Sequence, residues 1–179
     1  MTALSRRHSR GIGIRREDKS EWQRREPVTS QDAADLQEQG VRVRVQPSDL
    51  CAVTDKEFAK AGAAIQEDLS LRPVVFGIKE MPESFLEPSI TSVFVFDPLT
   101  SEIIDGHTGP GVVILAVDIP PREASADLGR VLKPFIPAIA RCDFSAPLVE
   151  CELPPEIKRA VITYQGKLTS DYYIQEYQN

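Results

Sequence analysis

The sequence predicts an α/β domain with a Rossmann-like (flavodoxin-like), mostly parallel sheet and helices on both faces. Strand-like and helical segments alternate through the first half of the chain, and this alternation is typical of a parallel sheet covered by helices. The second half is richer in strand-like segments. Among them, residues 111–117 are apolar on both faces, as expected for a central strand of a covered sheet.

Local capping signals predict the helices of the first half. Residues 31–39 have a helical pattern, with Thr29 or Ser30 as the N-cap. Thr54 and Glu57 form a capping box, in which each side chain satisfies a backbone amide of the other residue, so a second helix is predicted to follow. A glycine comes after each of these segments, and glycine is the residue that most often ends a helix.

The strands are predicted from apolar runs and from one alternating segment. Residues 41–45 alternate apolar and charged side chains, which is the period-two pattern of a half-buried strand. The other predicted strands are residues 11–15, 63–66, 73–79, 93–96, 102–104 and 111–117. Later helices are predicted at about 122–132 and from 154–155 onward. Pro134 and Pro137 must end or restart the first of these, because each proline removes an amide donor.

The length and composition suit one soluble domain. The chain has 179 residues, of which 41% are apolar and 27% are charged, and it contains no apolar run of about 18 residues that could span a membrane. Residues 1–10 are predicted to be a basic, disordered tail. Residues 11–179 are predicted to form a single α/β domain, built from an N-terminal half (11–88) and a C-terminal half (89–179).

Charge and cysteine content exclude several function classes. The net charge is -6, but residues 1–25 are basic, so the rest of the chain is strongly acidic and would repel nucleic acid. Cys51, Cys142 and Cys151 have no metal-ligand spacing, so no metal site is expected. Their odd number favours free thiols in a reducing, intracellular compartment. The arginine-rich first ten residues suit either a mitochondrial transit-peptide remnant or a basic tail on a cytoplasmic protein.

Two candidate site residues lie at the end of a predicted strand. The segment 73–79 is apolar and ends in Lys79, and Glu80 follows directly. Substrates of α/β proteins bind at the carboxyl ends of strands, and the pKa of a lysine held against apolar walls is tuned by desolvation and by a carboxylate neighbour. Lys79 and Glu80 are therefore candidate acid/base residues. The alternative is a lysine that only ends a strand in water.

Two ordered stretches carry a family resemblance. The first, residues 11–83, contains GIGIRREDKSEWQRREPVT (11–29), VQPS (45–48), AGA (61–63), IQEDL (65–69) and GIKEMP (77–82). The second, residues 93–177, contains IDGHTGPG (104–111), AVD (116–118), PREAS (121–125), PPEIKRAVI (154–162) and GKLT (166–169). Together they resemble lysine-ketoglutarate reductase, a relative of fungal saccharopine dehydrogenase and, more distantly, of alanine dehydrogenase and the transhydrogenase N-terminal domain. In that family the two stretches form one discontinuous domain, and the nucleotide-binding domain that is inserted between them is absent here.

The resemblance implies roles for three residues. Lys79 matches the acid/base lysine of the family, and Glu80 matches a neighbouring glutamate that adjusts it. Arg25 matches an arginine that grips a substrate carboxylate through a planar, two-point contact. The family condenses the amine of lysine with 2-oxoglutarate and reduces the imine to saccharopine with NAD(P), a step of lysine degradation. Lysine, 2-oxoglutarate and saccharopine are therefore the implied ligands.

The sequence also departs from the family pattern. A catalytic histidine of the family is missing, because residues 93–97 read VFVFD, and His107 lies in a turn of the second stretch. Gly11 and Gly13 are the candidate for a dinucleotide-binding turn, but charged residues follow where a third glycine and a helix are needed. We therefore expect no cofactor to bind to this chain alone.

These observations favour a substrate-side domain of the lysine-ketoglutarate reductase type that is not catalytic alone. Two alternatives stay open. One is a subunit of a split NAD(P)-dependent oxidoreductase, which acts on CH–NH bonds and receives its nucleotide-binding domain from a separate polypeptide. The other is a non-catalytic binding or regulatory module. It would pair with the full-length enzyme, or with further copies of itself in a homo-oligomer, through apolar surface left bare by the missing domain.

Overall fold

The computed structural model describes residues 11–17, 24–70, 72, 74–78, 91–96, 111–115, 121–161, 163–165 and 167–169. Its strands are β1 (Gly11–Ile14), β2 (Arg42–Val45), β3 (Ala64–Ile65), β4 (Val74–Ile78), β5 (Thr91–Phe96), β6 (Gly111–Leu115), β7 (Thr163–Tyr164) and β8 (Lys167–Leu168). Its helices are α1 (Ser30–Glu38), α2 (Asp55–Lys60), α3 (Pro121–Leu132), α4 (Ile136–Ile139) and α5 (Pro155–Arg159). The predicted tail at 1–10 and the predicted strand at 102–104 lie outside the described residues, and the domain boundaries stay predictions.

The described strands form one sheet in the order β3-β2-β1-β4-β5-β6-β7-β8. The first six strands of this order, β3 through β6, pair with their neighbours in parallel. Strand β7 is antiparallel to β6, and β8 is antiparallel to β7. The predicted α/β class with a mostly parallel sheet is confirmed. Strands β2 and β3 lie on one side of β1, and strands β4, β5 and β6 lie on its other side. The strand order therefore reverses between β1 and β4. The segments that connect β4, β5 and β6 lie outside the described residues.

The capping signals predicted both early helices correctly. Thr29 is the N-cap of α1: its Oγ1 accepts a hydrogen bond from the Asp32 amide at 3.2 Å, and Asp32 Oδ2 accepts one from the Thr29 amide at 2.9 Å. Thr54 and Glu57 form the predicted box at the start of α2, with the reciprocal bonds at 3.3 and 2.8 Å. Such local reciprocal bonds depend on residues three apart, so the sequence alone is sufficient to find them.

The hairpin of β7 and β8 is an addition that the sequence did not predict. Each strand has two residues, which is too short for an alternating pattern to be visible. Gln165 between them has φ +49°, in the left-handed region where non-glycine residues are uncommon. The hairpin attaches to the sheet through a pairing of Gly111 with Thr163.

Alternate residues of the strands divide the sheet into two chemically different faces. The core face carries apolar side chains that are almost completely buried: Ile12, Ile14, Val43, Val45, Val74 and Phe76. The second face carries Gly11, Gly13, Arg42, Arg44, Val75 and Gly77. The described helices α1 to α5 contribute apolar residues to the same buried cluster as the core face. Glycine and arginine on the second face are unusual for a covered sheet.

Polar contacts connect α3 to the two early helices. Lys133, just after α3, bonds Asp32 Oδ1 at 2.9 Å and Asp35 Oδ2 at 2.5 Å on α1. Arg122 on α3 holds the Glu57 carboxylate of α2 through bonds of 2.8 and 2.9 Å. These contacts hold α3 against α1 and α2. None of the described helices combines the length and the apolar character that crossing a bilayer requires.

Candidate functional site

The candidate site lies at the carboxyl ends of β1 and β4, where the strand order reverses. In open α/β sheets, ligands bind in the crevice outside such a switch point. The Arg15 amide, just after β1, donates a hydrogen bond to the Phe76 carbonyl of β4 at 2.9 Å, so the two strands stay paired up to this edge. The segment 24–29, which leads into α1, lies near the end of β1, because Glu26 is close to Glu17.

Four charged side chains are buried in these two segments. Arg15 is 6% exposed and Glu17 is 4% exposed after β1, and Arg25 is 8% exposed and Glu26 is 2% exposed before α1. Arg15, Glu17 and Arg25 each hold at least one polar or charged interaction. Charges of this kind are costly to bury unless they are paired or functional. Such a concentration at a switch point therefore marks a candidate site.

Glu26 is fixed in position by its backbone. Its amide donates to Ser125 Oγ of α3 at 2.8 Å, and that hydroxyl donates in turn to the Pro121 carbonyl at 2.7 Å. Its carboxyl group lies close enough to the Cys51 thiol for the two groups to shift each other's pKa. Its Oε2 is buried and has no hydrogen-bond partner among the described residues. The backbone of Glu26 is thus fixed to α3, and its carboxyl group keeps one buried oxygen without a partner among the described residues.

Burial changes the protonation of this pair. Desolvation raises the pKa of Glu26 to about 8, the carboxylates of Asp55 and Glu17 add to the rise, and the Cys51 hydrogen bond opposes it. Desolvation also raises the pKa of the Cys51 thiol to about 12, with a further contribution from Glu26. At neutral pH, Glu26 therefore holds a proton in most molecules. A carboxyl group that titrates near neutral pH is suited to donate or accept a proton.

The residues predicted from the sequence have different outcomes. Arg25 is buried, in the segment before α1 and next to Glu26 in the sequence. Lys79 and Glu80 follow the last residue of β4, and they lie outside the described residues, as does His107. Their roles, and that of Arg25 in holding a carboxylate, stay predictions.

Sequence reasoning missed Glu26 and Cys51. One signal was available, since Glu26 directly follows the arginine singled out as a carboxylate ligand and precedes a proline and a helix cap. Nothing in the sequence indicates that Cys51 lies beside it, because that contact depends on how the segment after β2 packs against the segment before α1.

The described residues offer little to a metal ion or a dinucleotide. Among them, no group of three or more His, Cys, Asp or Glu side chains is arranged to hold a metal. Gly11 and Gly13 are strand residues paired with Arg42 and Arg44 of β2, so they do not form a turn that leads into a helix. The phosphates of a dinucleotide need such a turn, and these glycines do not fit one.

Comparison with known proteins extends this picture. A family model described as alanine dehydrogenase/PNT, N-terminal domain, matches residues 13–134. Mitochondrial alpha-aminoadipic semialdehyde synthase of Bos taurus is 38% identical over 87 residues, which is 49% of this chain and 9% of that protein. The protein of the same name from Rattus norvegicus is 34% identical over the same shares, and the Arabidopsis thaliana alpha-aminoadipic semialdehyde synthase is 37% identical over 83 residues, 44% of this chain and 7% of that protein. The matches thus span less than a tenth of the length of these relatives.

Two solved structures are also similar. An L-alanine dehydrogenase has a TM-score of 0.45 and 16% identity, over 63% of this chain and 34% of that chain. The transhydrogenase from Sinorhizobium meliloti has a TM-score of 0.43 and 19% identity, over 49% of this chain and 28% of that chain.

Proposed function

Because the chain belongs to the alanine dehydrogenase/PNT N-terminal domain family, we propose that it is a substrate-binding domain of the lysine-ketoglutarate reductase type. About half of this chain, 49%, is related to alpha-aminoadipic semialdehyde synthase. This relationship supports lysine, 2-oxoglutarate or saccharopine as ligands of the chain. All three carry carboxylates. The family uses NAD(P), but the glycines of β1 do not fit a dinucleotide, so we propose that the chain is not catalytic alone.

Burial of Arg25 is the observation that carries this proposal. Its side chain is 8% exposed, whereas the neighbouring Arg24 is exposed. A guanidinium group removed from bulk water binds a carboxylate more strongly than one in solvent, and its planar fork fits the two carboxylate oxygens. Two adjacent arginines with such different surroundings also provide a matched comparison.

The protonation of Glu26 supports the same function. An ionised Glu26 would repel a substrate carboxylate bound at this edge of the sheet. Because burial raises the pKa of Glu26 to about 8, this carboxyl group is largely neutral at pH 7, and the repulsion is small. Its Oε2, which has no hydrogen-bond partner in the part of the chain that the structure describes, then remains as a hydrogen-bonding group for a substrate.

Calorimetry with substrate and variant proteins tests the binding. We expect saccharopine, 2-oxoglutarate or lysine to bind at pH 7, and Arg25→Met to weaken this binding at least about tenfold, because one charged hydrogen-bonded pair contributes about 1.5–3 kcal/mol. Arg24→Met is the matched control and should change affinity less than about twofold. Circular dichroism checks that both variants are folded.

Two results would contradict the proposal. One is the absence of binding heat with all three ligands. The other is an equal loss of affinity in the Arg24 and Arg25 variants, which would indicate a general charge effect instead of a carboxylate site.

A turnover assay tests the statement that the chain is not catalytic alone. We expect no oxidation of NADH or NADPH in the presence of lysine and 2-oxoglutarate. Lys79→Ala is the control, because Lys79 is the proposed acid/base residue. Turnover by the wild-type chain that Lys79→Ala abolishes would overturn this part of the proposal and would at the same time support the role of Lys79.

A further inference from the structure

Three arginines come together on the second face of the sheet, away from the switch point. Arg42 and Arg44 are alternate residues of β2 and therefore point to the same face. Arg72 comes from the segment before β4. Its Nη1 lies 2.5 Å from the position that a Cβ on Gly11 would occupy, and Arg42 Cβ lies 3.5 Å from the same position. We call these three residues the arginine cluster.

Gly11 makes this arrangement possible. It pairs with Arg42 across β1 and β2, so its missing side chain leaves a space on the second face. The Arg72 guanidinium group fills that space, and any larger residue at position 11 would displace it. A glycine at the first position of a strand thus has a packing reason, which is the close approach of a charged group.

Burial increases across the arginine cluster from solvent to interior. Arg42 is exposed, Arg44 is half-buried and Arg72 is 5% exposed. Among the described residues, Nε and Nη1 of Arg72 and Nη1 of Arg44 are buried and have no hydrogen-bond partner. Burying guanidinium nitrogens without hydrogen-bond partners costs free energy. A bound hydrogen-bond acceptor would therefore stabilise this arrangement. Arg42, in contrast, is open to solvent.

The charges of the arginine cluster repel one another. Desolvation lowers the pKa of Arg72, and the positive charges of Arg44 and Arg42 lower it further. Asp68 is a carboxylate near Arg44, but it is exposed, and its Oδ1 accepts a hydrogen bond from the Ser70 amide at 2.8 Å. A second negative group between the arginines would relieve this repulsion.

We propose that the arginine cluster is a binding site for a phosphate group, distinct from the substrate site and independent of the proposed function. Three guanidinium groups arriving from a strand and a neighbouring segment suit a small anion with several oxygens and up to two charges. Phosphate has this chemistry, whether as the free ion or as a phosphate monoester. A monocarboxylate offers two oxygens and one charge, and so satisfies fewer of the donors.

Titration with inorganic phosphate tests the site directly. The full chain is titrated by calorimetry at constant ionic strength, with chloride as the balancing salt, and its thermal midpoint is measured in both salts. We expect phosphate to bind and to raise the midpoint above its value in chloride. Glycerol 3-phosphate forms a second arm: binding at least as tight as that of phosphate would indicate a monoester ligand, and weaker binding the free ion.

Three variants locate the binding. Arg72→Met should weaken phosphate binding at least about tenfold, and in chloride it should melt at or above the wild-type temperature, because it removes a desolvated positive charge. Gly11→Ala should also weaken binding, although all three arginines remain, because it displaces the Arg72 guanidinium group. Arg130→Met is the matched control, since Arg130 is exposed on α3 and pairs with Asp127 at 3.3 Å. It should leave the affinity within about twofold.

Two results would contradict a phosphate site at the arginine cluster. The proposal is overturned if phosphate and chloride act alike at equal ionic strength, or if Arg72→Met and Arg130→Met change phosphate affinity equally. If Arg72→Met does not fold, Arg44→Gln decides in its place, with the same tenfold loss expected and an unchanged affinity counting against the site. Loss of phosphate binding with intact binding of saccharopine would separate this result from the proposed function.

Discussion

Between about pH 4.5 and pH 8, the free energy of unfolding of the wild-type protein is expected to fall by an amount on the order of 4 kcal/mol because of Glu26. The variant Glu26→Gln is expected to lack this fall. The unfolded chain releases the Glu26 proton near the ordinary pKa of 4.5, whereas the folded protein keeps it up to about pH 8. Within that window the folded state binds more protons, so its stability falls as the pH rises. Glutamine cannot ionise and avoids this penalty.

Equilibrium unfolding in urea, measured from pH 4 to pH 9, tests this expectation. The wild-type protein and Glu26→Gln should have similar free energies of unfolding below pH 4.5, where Glu26 is protonated in both the folded and the unfolded state. As the pH rises, the variant should become the more stable of the two. The groups that face Glu26 are the Cys51 thiol, whose pKa is raised to about 12, and the carboxylates of Asp55 and Glu17. The thiol does not titrate in this range. Parallel pH profiles for the two proteins would rule out a buried, protonated Glu26.

Glu57 supplies a control of opposite sign. Its carboxylate accepts bonds from the Thr54 amide and from Arg122, and these lower its pKa to about 2. A lowered pKa contributes stability above the unfolded value that is lost as the pH falls through the folded one. Glu57→Gln should therefore destabilise the protein at neutral pH, and the difference should disappear toward pH 2. A general effect of removing an acid would give both variants the same sign.

Replacing Gly129 with alanine is the second large effect, and we expect a loss of about 2 kcal/mol. Glycine inside an exposed helix costs about 1 kcal/mol relative to alanine, so helix propensity alone predicts a gain. However, a Cβ on Gly129 would collide with Asp32 Oδ2 and lie 2.9 Å from Asp32 Cγ. That carboxylate caps α1 through Thr29 and binds Lys133. Loss of the cap costs about 0.5–2 kcal/mol and overpacking about 1–3 kcal/mol, which together exceed the gain.

A double-mutant cycle isolates the collision. In an Asp32→Ala background the obstacle is gone, so Gly129→Ala should become neutral or stabilising by up to about 1 kcal/mol. Ala126→Gly, at an exposed position of the same helix, should lose about 1 kcal/mol in either background. A loss from Gly129→Ala that persists without Asp32 would contradict this explanation.

The parts of the fold that the sequence predicted are those that local patterns control. The N-cap at Thr29 and the capping box at Thr54 depend on residues within one helical turn, and the alternation at 41–45 depends on neighbours. Both were located within one or two residues. The β7 and β8 hairpin was missed because its strands are two residues long. Its place in the sheet depends on a single pairing with β6, which no local signal contains.

The same distinction applies to the site. Arg25 was found through a resemblance, and its burial agrees with a functional position without testing the role. Glu26 and Arg72 were missed because their character comes from burial, which the linear sequence does not display. Arg72 in particular reads as an ordinary surface arginine until the space above Gly11 is considered. Buried charges in short connecting segments are therefore where sequence reasoning is weakest for this chain.

The two ends of the described sheet restrict how it can associate. The outermost strands, β3 and β8, have two residues each, so they present few free backbone groups to another chain. Long, flat edge strands are the usual templates for strand addition and aggregation, and very short ones prevent it. Strand addition onto β3 or β8 is therefore disfavoured.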